Sequence, residues 1–404
     1  MLSFEQAIEQ MLGSIPTAQN QETLSLTDAI NRICAEDVIS PINVPSFNNS
    51  AMDGYAIRLS DLQRSEKLSV VGKSLAGHPF DRELPPQSAV KIMTGAMIPQ
   101  RADTVIMQED VQVDNDGNVT FLQPAKLGQH IRRVGEDIKK GDVVLKKGSK
   151  LTALSLPLLA SLGFSQISVF KSLKVALIST GDELISVGES LQMGKIYDTN
   201  RFTIRLLLEK LNCEILDFGI IADNEQQFEK VFMQAQQQAD LIITSGGVSV
   251  GEADFTKKIL EKFGQIRFWK IAMKPGKPFA FGQLGKAWFF GLPGNPVSAL
   301  VTFYQLVQPA IAKLSGYSQW KKSPQLQAIT TTPLKKSVGR LDFQRGFYQL
   351  NSQGEIEVHP IGFQGSHIFS AFVKSNCFIV LEKERGHVQA GEIVTIEPFN
   401  ALLN

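Results

Sequence analysis

The chain has 404 residues, which is enough for two to four domains that each bury a core of their own. Its 41 lysines and arginines balance 40 aspartates and glutamates, so no overall field attracts nucleic acid or an anionic membrane. The three cysteines lie far apart and form no Cys-x-x-Cys pair, which argues against a disulfide framework and a zinc site.

The sequence also lacks the marks of export and membrane insertion. The first residues have neither a basic start nor an apolar core. No stretch approaches the roughly 20 apolar residues that cross a bilayer. We therefore expect a cytoplasmic protein that binds neither nucleic acid nor a membrane.

The first part of the chain predicts two domains. Residues 1–40 predict helices, including a second amphipathic helix around 26–33. Short alternating apolar segments, broken by Pro, Gly and Asn, predict a small β-rich domain over 41–141. An apolar run within 142–171 predicts a helix that returns to the N-terminal helices. Residues 1–40 and 142–171 are therefore predicted to form one helical or extended linker domain.

Strands and helices alternate over 172–322, which is typical of a doubly wound, mostly parallel α/β sheet covered on both faces. Its last helix is predicted from Pro296 to about Leu314. Residues 323–404 show no long helical pattern, and their alternation predicts a C-terminal all-β domain. The fold class is thus multidomain α/β plus β.

Ligands bind such sheets beyond the carboxyl ends of the strands. Three glycines, Gly181, Gly246 and Gly294, follow predicted strands and so lie at that edge.

The loop after the strand at 241–244 is rich in glycine. Such a loop lets backbone amides approach an anion closely, and the following helix adds its positive end. It lacks the Lys-Ser or Lys-Thr of a Walker A motif and the glycine spacing of a dinucleotide-binding turn. A phosphorylated ligand is predicted here, while the structural alternative is a tight turn that binds nothing.

The loop at 179–184 joins hydroxyls and a glycine to Asp182 and Glu183. Hydroxyls and amides suit a phosphate, and carboxylates suit Mg²⁺. The alternative is that both acids merely occupy the first turn of a helix. The same alternative applies to Asp254 after the glycine loop and to Asp198, which could cap the next helix.

Lys270 and Lys274 are four residues apart, so on one strand they face the same side. Two ammonium groups aimed one way repel unless an anion lies between them. Solvated lysines on an edge strand are the alternative. Nearby, Asn295 is a predicted N-cap and Pro296 a first helical residue, in a loop that two prolines stiffen.

Small polar residues also surround Asp53, and the segments at 91–96 and 135–137 add more. An Asx turn or a hairpin explains part of this pattern. The five histidines show no metal-ligand spacing, and no Ser, His and acid trio stands out. A hydrolase with a serine or cysteine nucleophile is therefore disfavoured.

Taken as whole strings, these segments resemble the MoeA family, the molybdopterin molybdenumtransferases. The similarity runs end to end and includes Gly365-Ser366-His367. The strings that carry it are NSAMDGYA at 49–56, STGDEL at 179–184, SGGVSVGEAD at 245–254, KPGKP at 274–278 and GLPGNP at 291–296.

The resemblance implies a homodimer of four-domain subunits, in which a molybdopterin-binding sheet domain faces the small β-domain of the other subunit. The implied reaction inserts molybdenum from molybdate into adenylylated molybdopterin, cleaves the adenylate and releases AMP. Mg²⁺ or a similar divalent ion assists. Transient contact with the molybdopterin adenylyltransferase and with acceptor molybdoenzymes is also implied.

The resemblance further implies the site residues. The reactive groups are Asp53, Thr94, Asp137, Glu183, Asp254, Lys270 and Lys274, of which Glu183 and Asp254 place the cation. The groups that hold the substrate are Ser179, Thr180, Gly181, Ser245, Gly246, Gly247, Ser249, Gly251, Pro293, Gly294, Asn295, Pro296, Arg345 and Ser366. Of all these residues, Lys274 and Arg345 are expected to attract molybdate.

One segment departs from the family pattern. Relatives usually carry Gly-Ala-Asp where this chain has Arg101-Ala102-Asp103, which puts the geometry of that turn in doubt.

Two other functions remain open from the sequence. One is an adenylyltransferase that makes the adenylated intermediate, because the sheet domain resembles that enzyme's fold. The other is a non-catalytic scaffold. The β-domains and the Asp53 segment favour the transferase over the first, and the full set of carboxylates and lysines favours it over the second.

Overall fold

The computed structural model describes residues 1–222, 224–247 and 255–404. Within them no helix is long and apolar enough to cross a membrane. The chain forms two compact units, which are described separately. The larger unit comprises Met1–Glu36, Lys147–Ala153 and Gln166–Asn404, and the smaller unit comprises Asp37–Lys146 and Leu154–Ser165.

Short strands dominate the first 170 residues. In chain order the elements are α1 (Phe4–Ser14), β1 (Gln21–Ser25), β2 (Val38–Ile39), β3 (Asn49–Ser50), β4 (Gly54–Ile57), β5 (Lys67–Ser74), β6 (Ser88–Ile92), β7 (Thr104–Met107), β8 (Val111–Val113), β9 (Asn118–Phe121), β10 (Ile131–Arg132), β11 (Val143–Leu145), α2 (Ser155–Ser161) and β12 (Gln166–Phe170).

Longer strands and helices then alternate before a run of strands. These elements are β13 (Lys174–Thr180), β14 (Leu184–Ile185), β15 (Ile196–Tyr197), α3 (Thr199–Lys210), β16 (Glu214–Ile221), α4 (Glu225–Gln238), β17 (Leu241–Ser245), α5 (Phe255–Phe263), β18 (Gly264–Lys270), β19 (Met273–Lys274), β20 (Pro278–Leu284), β21 (Ala287–Leu292), α6 (Pro296–Thr302), α7 (Gln308–Leu314), β22 (Leu326–Thr330), β23 (Leu341–Leu350), β24 (Ile356–Pro360), β25 (Cys377–Leu381) and β26 (Ile393–Pro398).

The N-terminal helix α1 begins with a capping box. The Ser3 side chain accepts from the Gln6 amide at 3.2 Å, and the Gln6 side chain accepts from the Ser3 amide at 3.0 Å. The helix buries Phe4 and Met11 in the core of the larger unit, where the Phe4 ring meets the edge of Phe343.

The prediction of a second helix around 26–33 is wrong. These residues form turns that end in an isolated bridge between Ile33 and Lys150. Asn31 has a φ of 63°, a left-handed conformation that an α-helix excludes. The apolar spacing of this segment therefore reflects side chains that pack from turns.

The smaller unit is built on a six-stranded sheet in the order β7-β4-β6-β5-β9-β8. Strand β4 lies antiparallel to both β6 and β7, and Gly54 pairs with Ile92 on one side and Met107 on the other. A Cβ at Gly54 would overlap the Ile106 carbonyl, so only glycine fits there. This register places Asp53, which precedes β4, beside Thr94, which follows β6.

The larger unit contains the predicted doubly wound sheet, in the order β16-β13-β17-β21-β20-β18. Strands β16, β13, β17 and β21 are parallel, β20 runs antiparallel to β21, and the edge strand β18 runs antiparallel to β20. Both faces are covered: Val175 and Leu177 of β13 enter one core, and Ala176 and Ile178 enter the other. The mostly parallel α/β prediction is confirmed.

The predicted long helix after β21 is present but carries an interruption. Its α-helical parts α6 and α7 are joined by a π-helical turn at Phe303–Val307. The insertion adds a residue to one turn and does not end the helix.

The C-terminal strands close into a barrel. Strand β23 pairs with β24 and β25, while β22 pairs with β24 and β26, and β25 pairs with β26. Strand β19 joins this barrel in parallel beside β23, with Lys274 opposite Asp342.

This pairing corrects the prediction that Lys270 and Lys274 share one strand. Lys270 ends β18 in the central sheet, and the chain then leaves that sheet so that Lys274 pairs in the barrel. The four-residue spacing therefore does not set a common face.

Candidate functional site

Three loops meet at the carboxyl edge of the central sheet, after β13, β17 and β21. They enclose a cavity of about 650 Å³. Several predicted site residues line this cavity, namely Thr180, Gly181, Glu183, Ser245, Gly246, Gly247, Pro293, Gly294, Asn295 and Pro296. The structure thus brings together loops that are up to 116 residues apart in sequence, from 180 to 296.

The glycine loop needs its glycines for two reasons. Gly246 and Gly247 have φ values of 88° and 67°, which side chains rarely adopt. A Cβ at Gly246 would lie 2.7 Å from the Thr180 carbonyl oxygen, and one at Gly247 would lie 2.8 Å from the Thr256 hydroxyl. The backbone therefore packs against its neighbours with no room for a side chain.

Part of the predicted anion loop lies outside the described residues. Ser249, Gly251 and Asp254 all fall in the stretch from 248 to 254. Ser179 lies in β13 and is buried, and its hydroxyl has no hydrogen-bond partner among the described residues.

Glu183 lies in a turn and not in a helix. The next elements are the short strands β14 and β15, and α3 begins only at Thr199, so a helical first turn does not explain Asp182 and Glu183. The Glu183 carboxylate folds over Gly181, where its oxygens lie 2.5 and 2.8 Å from the position a Cβ would take. A carboxylate consequently stands at the rim of the cavity.

Asp198 caps α3, which was the structural explanation that the sequence offered for this acid. It is buried and accepts from the Arg201 amide at 3.1 Å and from Arg201 Nε at 2.9 Å. Arg201 also pairs with Asp217 at 2.8 Å. Both donors to the Asp198 carboxylate belong to Arg201, so these bonds stabilise the start of α3.

Asn295 stands at the N-cap position of α6, and Pro296 lies in its first turn, as predicted. Within the described part of the chain, the Asn295 side chain makes no capping hydrogen bond. It is exposed and lines the cavity, so its amide remains available to a ligand.

The two predicted lysines occupy different settings. Lys270 is exposed at the end of β18. Lys274 Nζ lies 3.4 Å from the Asp342 carboxylate, which is buried. Asp342 therefore holds Lys274 beside the barrel strand β23.

Arg345 lies in a setting that differs from the expected one. Its side chain is 1% exposed, and its Nη2 donates to the Phe363 carbonyl at 2.8 Å and to the Gly365 carbonyl at 3.3 Å. Burial lowers the pKa of Arg345, and the nearby Asp342 opposes that shift. A guanidinium enclosed in this way does not meet a dissolved anion directly.

Arg345 instead supports the loop that reaches the cavity. The Ser366 carbonyl of that loop accepts from the Val297 amide at 3.1 Å, beside Pro296. His367 lines the cavity. The barrel thereby contributes a residue to the cavity at the carboxyl edge of the central sheet.

In the smaller unit, the register of β4 and β6 joins Asp53 to Thr94. Asp53 Oδ1 accepts from the Thr94 amide at 2.7 Å and from the Thr94 hydroxyl at 2.8 Å. These bonds, the amide first, lower the pKa of Asp53. Asp137 is exposed on another loop, where its amide donates to the Val44 carbonyl at 3.0 Å.

The turn at Arg101 keeps the conformation that glycine favours. Arg101 has a φ of 70°, and the Ala102 amide donates to the Pro99 carbonyl at 3.0 Å. Its guanidinium pairs with Glu83 at 3.0 Å, with both side chains largely exposed. The sequence departure therefore leaves the turn intact.

Three family models match successive parts of the chain. Residues 2–163 match "MoeA N-terminal region (domain I and II)", and residues 327–399 match "MoeA C-terminal region (domain IV)". Between them, residues 176–313 match "Probable molybdopterin binding domain".

Full-length relatives extend this match. The molybdopterin molybdenumtransferase of Haemophilus influenzae is 68% identical over 403 residues, which cover 100% of both chains. The chain belongs to the MoeA family. That of a Nostoc species is 33% identical over 96% of this MoeA chain and 91% of its own. A crystal structure of a molybdopterin biosynthesis MoeA protein from Pyrococcus horikoshii has a TM-score of 0.84 and 30% identity, and covers 99% of this chain and 100% of its own.

Membership of the MoeA family makes the chain an enzyme of molybdenum cofactor biosynthesis, a molybdopterin molybdenumtransferase. It also confirms the resemblance from which the site residues were inferred.

Sequence reasoning missed two residues of this MoeA site. Asn200 Nδ2 donates to the Ser245 hydroxyl at 2.9 Å and to the Gly294 carbonyl at 2.7 Å, so it ties two of the loops together. His367 reaches the cavity from the barrel. The string Tyr197-Asp198-Thr199-Asn200 indicates a helix cap at Asp198 and gives no sign that Asn200 joins the site. For His367 the only sequence signal is the string Gly365-Ser366-His367.

The described residues offer part of a magnesium site. Glu183 supplies a hard carboxylate oxygen, and Thr180 and Ser245 bring hydroxyls to the same cavity. Mg²⁺ accepts one or two carboxylates together with phosphate oxygens, so this donor set fits it. Among the described residues no group of three or more acidic, His or Cys side chains is arranged to hold a metal by itself.

Proposed function

We propose that this MoeA protein inserts molybdenum from molybdate into adenylylated molybdopterin, with cleavage of the adenylate and release of AMP. The observation that carries the proposal is the cavity where the glycine loop, Glu183 and Asn295 meet. That cavity combines backbone suited to a phosphate with a carboxylate suited to a hard cation.

In this proposal the loops hold the pyrophosphate link of the substrate. The glycine loop and Ser249 supply donors to its oxygens, and Asn200 keeps the loops after β17 and β21 at a fixed separation. A rigid spacing matters because reacting groups must meet in one geometry.

Glu183 and Asp254 are proposed to hold Mg²⁺ against the phosphates. The bound cation would offset phosphate charge as the adenylate is cleaved. Glu183 is suited to this because its carboxylate rests at the cavity rim above Gly181.

Molybdate is proposed to be drawn to Lys274. Its ammonium pairs with Asp342 at 3.4 Å and stays partly exposed, so it can also attract an oxyanion. Arg345 is proposed to act by holding the loop that carries Ser366, since its guanidinium is enclosed. Asp53, Thr94 and Asp137 are proposed to take part in the same reaction.

The experiment that tests the proposal separates it from an adenylyltransferase. The purified chain receives either molybdopterin with ATP or adenylylated molybdopterin with molybdate, each with Mg²⁺. The transferase gives molybdenum cofactor only in the second mixture. ATP-dependent adenylylation in the first mixture would favour the adenylyltransferase, and binding without turnover in both would favour a scaffold.

A further inference from the structure

A second cavity, of about 240 Å³, lies in the larger unit at the opposite edge of the central sheet. Leu173, just before β13, and Cys213, just before β16, both line it. Parallel strands begin at this edge and end at the candidate site. Because β13 has seven residues, the two cavities are separated by a strand length of roughly 20 Å.

The lining of this cavity is cationic. No carboxylate belongs to it within the part of the chain that the structure describes. Its charged members are Arg32, Lys150, Lys171, Lys210 and Lys321.

Two of these cations already have partners. Arg32 pairs with Glu22 at 2.5 Å, and Lys210 donates to the Leu402 and Asn404 carbonyls at 3.3 and 2.8 Å. Among the described residues the ammonium groups of the other three make no ion pair. Three like charges around one small space repel one another unless an anion joins them.

Helix ends account for part of this charge but not for all of it. Helices α3 and α7 both end at the cavity, and cations are favoured at the carboxyl end of a helix. Lys210, in the last turn of α3, fits that explanation. Lys150 and Lys171 come from other segments of the chain, and burial lowers the pKa of Lys150.

Flat apolar side chains complete the lining. Phe170, Tyr317 and Trp320 border the same cavity as the lysines. A ring that enters the cavity would have aromatic faces to pack against, while phosphate oxygens would meet the lysines.

We propose that this cavity binds a small organic phosphate that carries a planar ring. The site is independent of the proposed transfer reaction, because among the residues that the structure describes its lining shares none with that of the candidate site.

The test uses AMP and inorganic pyrophosphate as probes in calorimetric titrations of the full chain. Lys150→Gln and Lys171→Gln should each weaken the binding of AMP at this cavity by at least about ten-fold, since each removes a charged donor to phosphate. Lys286→Gln is the matched control: this exposed lysine precedes β21 at the same edge of the sheet but does not line the cavity. It should leave the isotherm unchanged.

Trp320→Ala tests the ring. It should weaken AMP at this site while pyrophosphate binding stays as in the parent chain. AMP isotherms that are the same in the parent, Lys150→Gln and Lys171→Gln chains would overturn the site, and unchanged AMP affinity in Trp320→Ala would overturn the preference for a ring. Molybdenum transfer should be unaffected by Lys150→Gln, so this result is read separately from the transferase assay.

Discussion

At the scale of single residues, backbone conformation decides what several positions tolerate. Arg101 shows this most clearly, because it holds a left-handed φ of 70° without the freedom of glycine. A side chain in that region costs about 1 kcal/mol or more relative to glycine. The surface pair with Glu83 offsets little of this cost, since exposed ion pairs contribute weakly.

We predict that Arg101→Gly is more stable than Arg101→Ala by about 1 kcal/mol. Both substitutions remove the ion pair with Glu83, so their difference reports the backbone alone. Urea unfolding of the two variants gives the comparison. Equal midpoints and equal slopes would show that the turn relaxes and carries no strain.

Asp53 is the residue whose acidity the structure sets most directly. Hydrogen bonds from the Thr94 amide and hydroxyl favour the charged carboxylate and lower its pKa. A group whose pKa is depressed by folding contributes stability above its unfolded pKa, and that contribution is lost as the pH falls through the folded value.

Thr94→Val should therefore raise the pKa of Asp53 toward its ordinary value of 3.8, because one of the two bonds is removed. The Asp53 carboxyl carbon can be followed by NMR between pH 2 and pH 6, around that ordinary value. Thr94→Ser, which keeps the hydroxyl, is the matched control. An Asp53 pKa that is the same in the Val and Ser variants would contradict the proposed hydrogen bond.

At the scale of elements, the position of each loop follows from strand pairing that sequence periodicity reveals only in part. The alternation over 172–322 predicts the parallel sheet because strands such as β13 and β17 are apolar on both faces. Their ends then predict where the glycine loops lie. Pairing within the barrel depends on contacts that are distant in sequence. The sequence therefore carries no periodic signal that Lys274 leaves the central sheet and pairs with β23.

Local conformation limited two other predictions. The segment 26–33 has helical spacing, yet Asn31 takes a left-handed conformation that ends any helix. Glu183 follows a strand at the spacing of a helix start, yet two short strands intervene before α3. In both cases tertiary contacts override a pattern that would suit a helix.

The loop of the barrel that carries Ser366 is predicted to depend on Arg345. Arg345→Lys keeps the charge but loses the planar guanidinium whose Nη2 donates to the carbonyls of Phe363 and Gly365. Hydrogen exchange at 363–367 should accelerate, and transfer activity should fall at least about ten-fold.

Arg340→Lys is the control for this substitution, since Arg340 lies just before β23 and does not contact that loop through any bond the structure describes. If exchange at 363–367 were unchanged while activity fell, Arg345 would act on the ligand and not through the loop.

At the scale of the whole molecule, similarity to the MoeA family leads to an expectation about how subunits assemble. Membership of the MoeA family follows from end-to-end similarity, and the four-domain homodimer was implied by that resemblance. We expect light scattering to give twice the chain mass of 44.5 kDa at micromolar concentration. A mass of one chain under the conditions in which transfer is measured would contradict the homodimer.

We propose that molybdate-dependent cleavage of the adenylate takes place in the cavity at the carboxyl edge of the sheet. The most direct measurement follows AMP released from adenylylated molybdopterin against molybdenum incorporated, with molybdate and Mg²⁺ varied. Gly247→Ala is the companion variant, because its Cβ would lie 2.8 Å from the Thr256 hydroxyl and displace the loop. We predict AMP and incorporated molybdenum in equal amounts for the parent chain, and little of either for the variant. AMP release that is independent of molybdate, or that is as fast in Gly247→Ala, would contradict the claim.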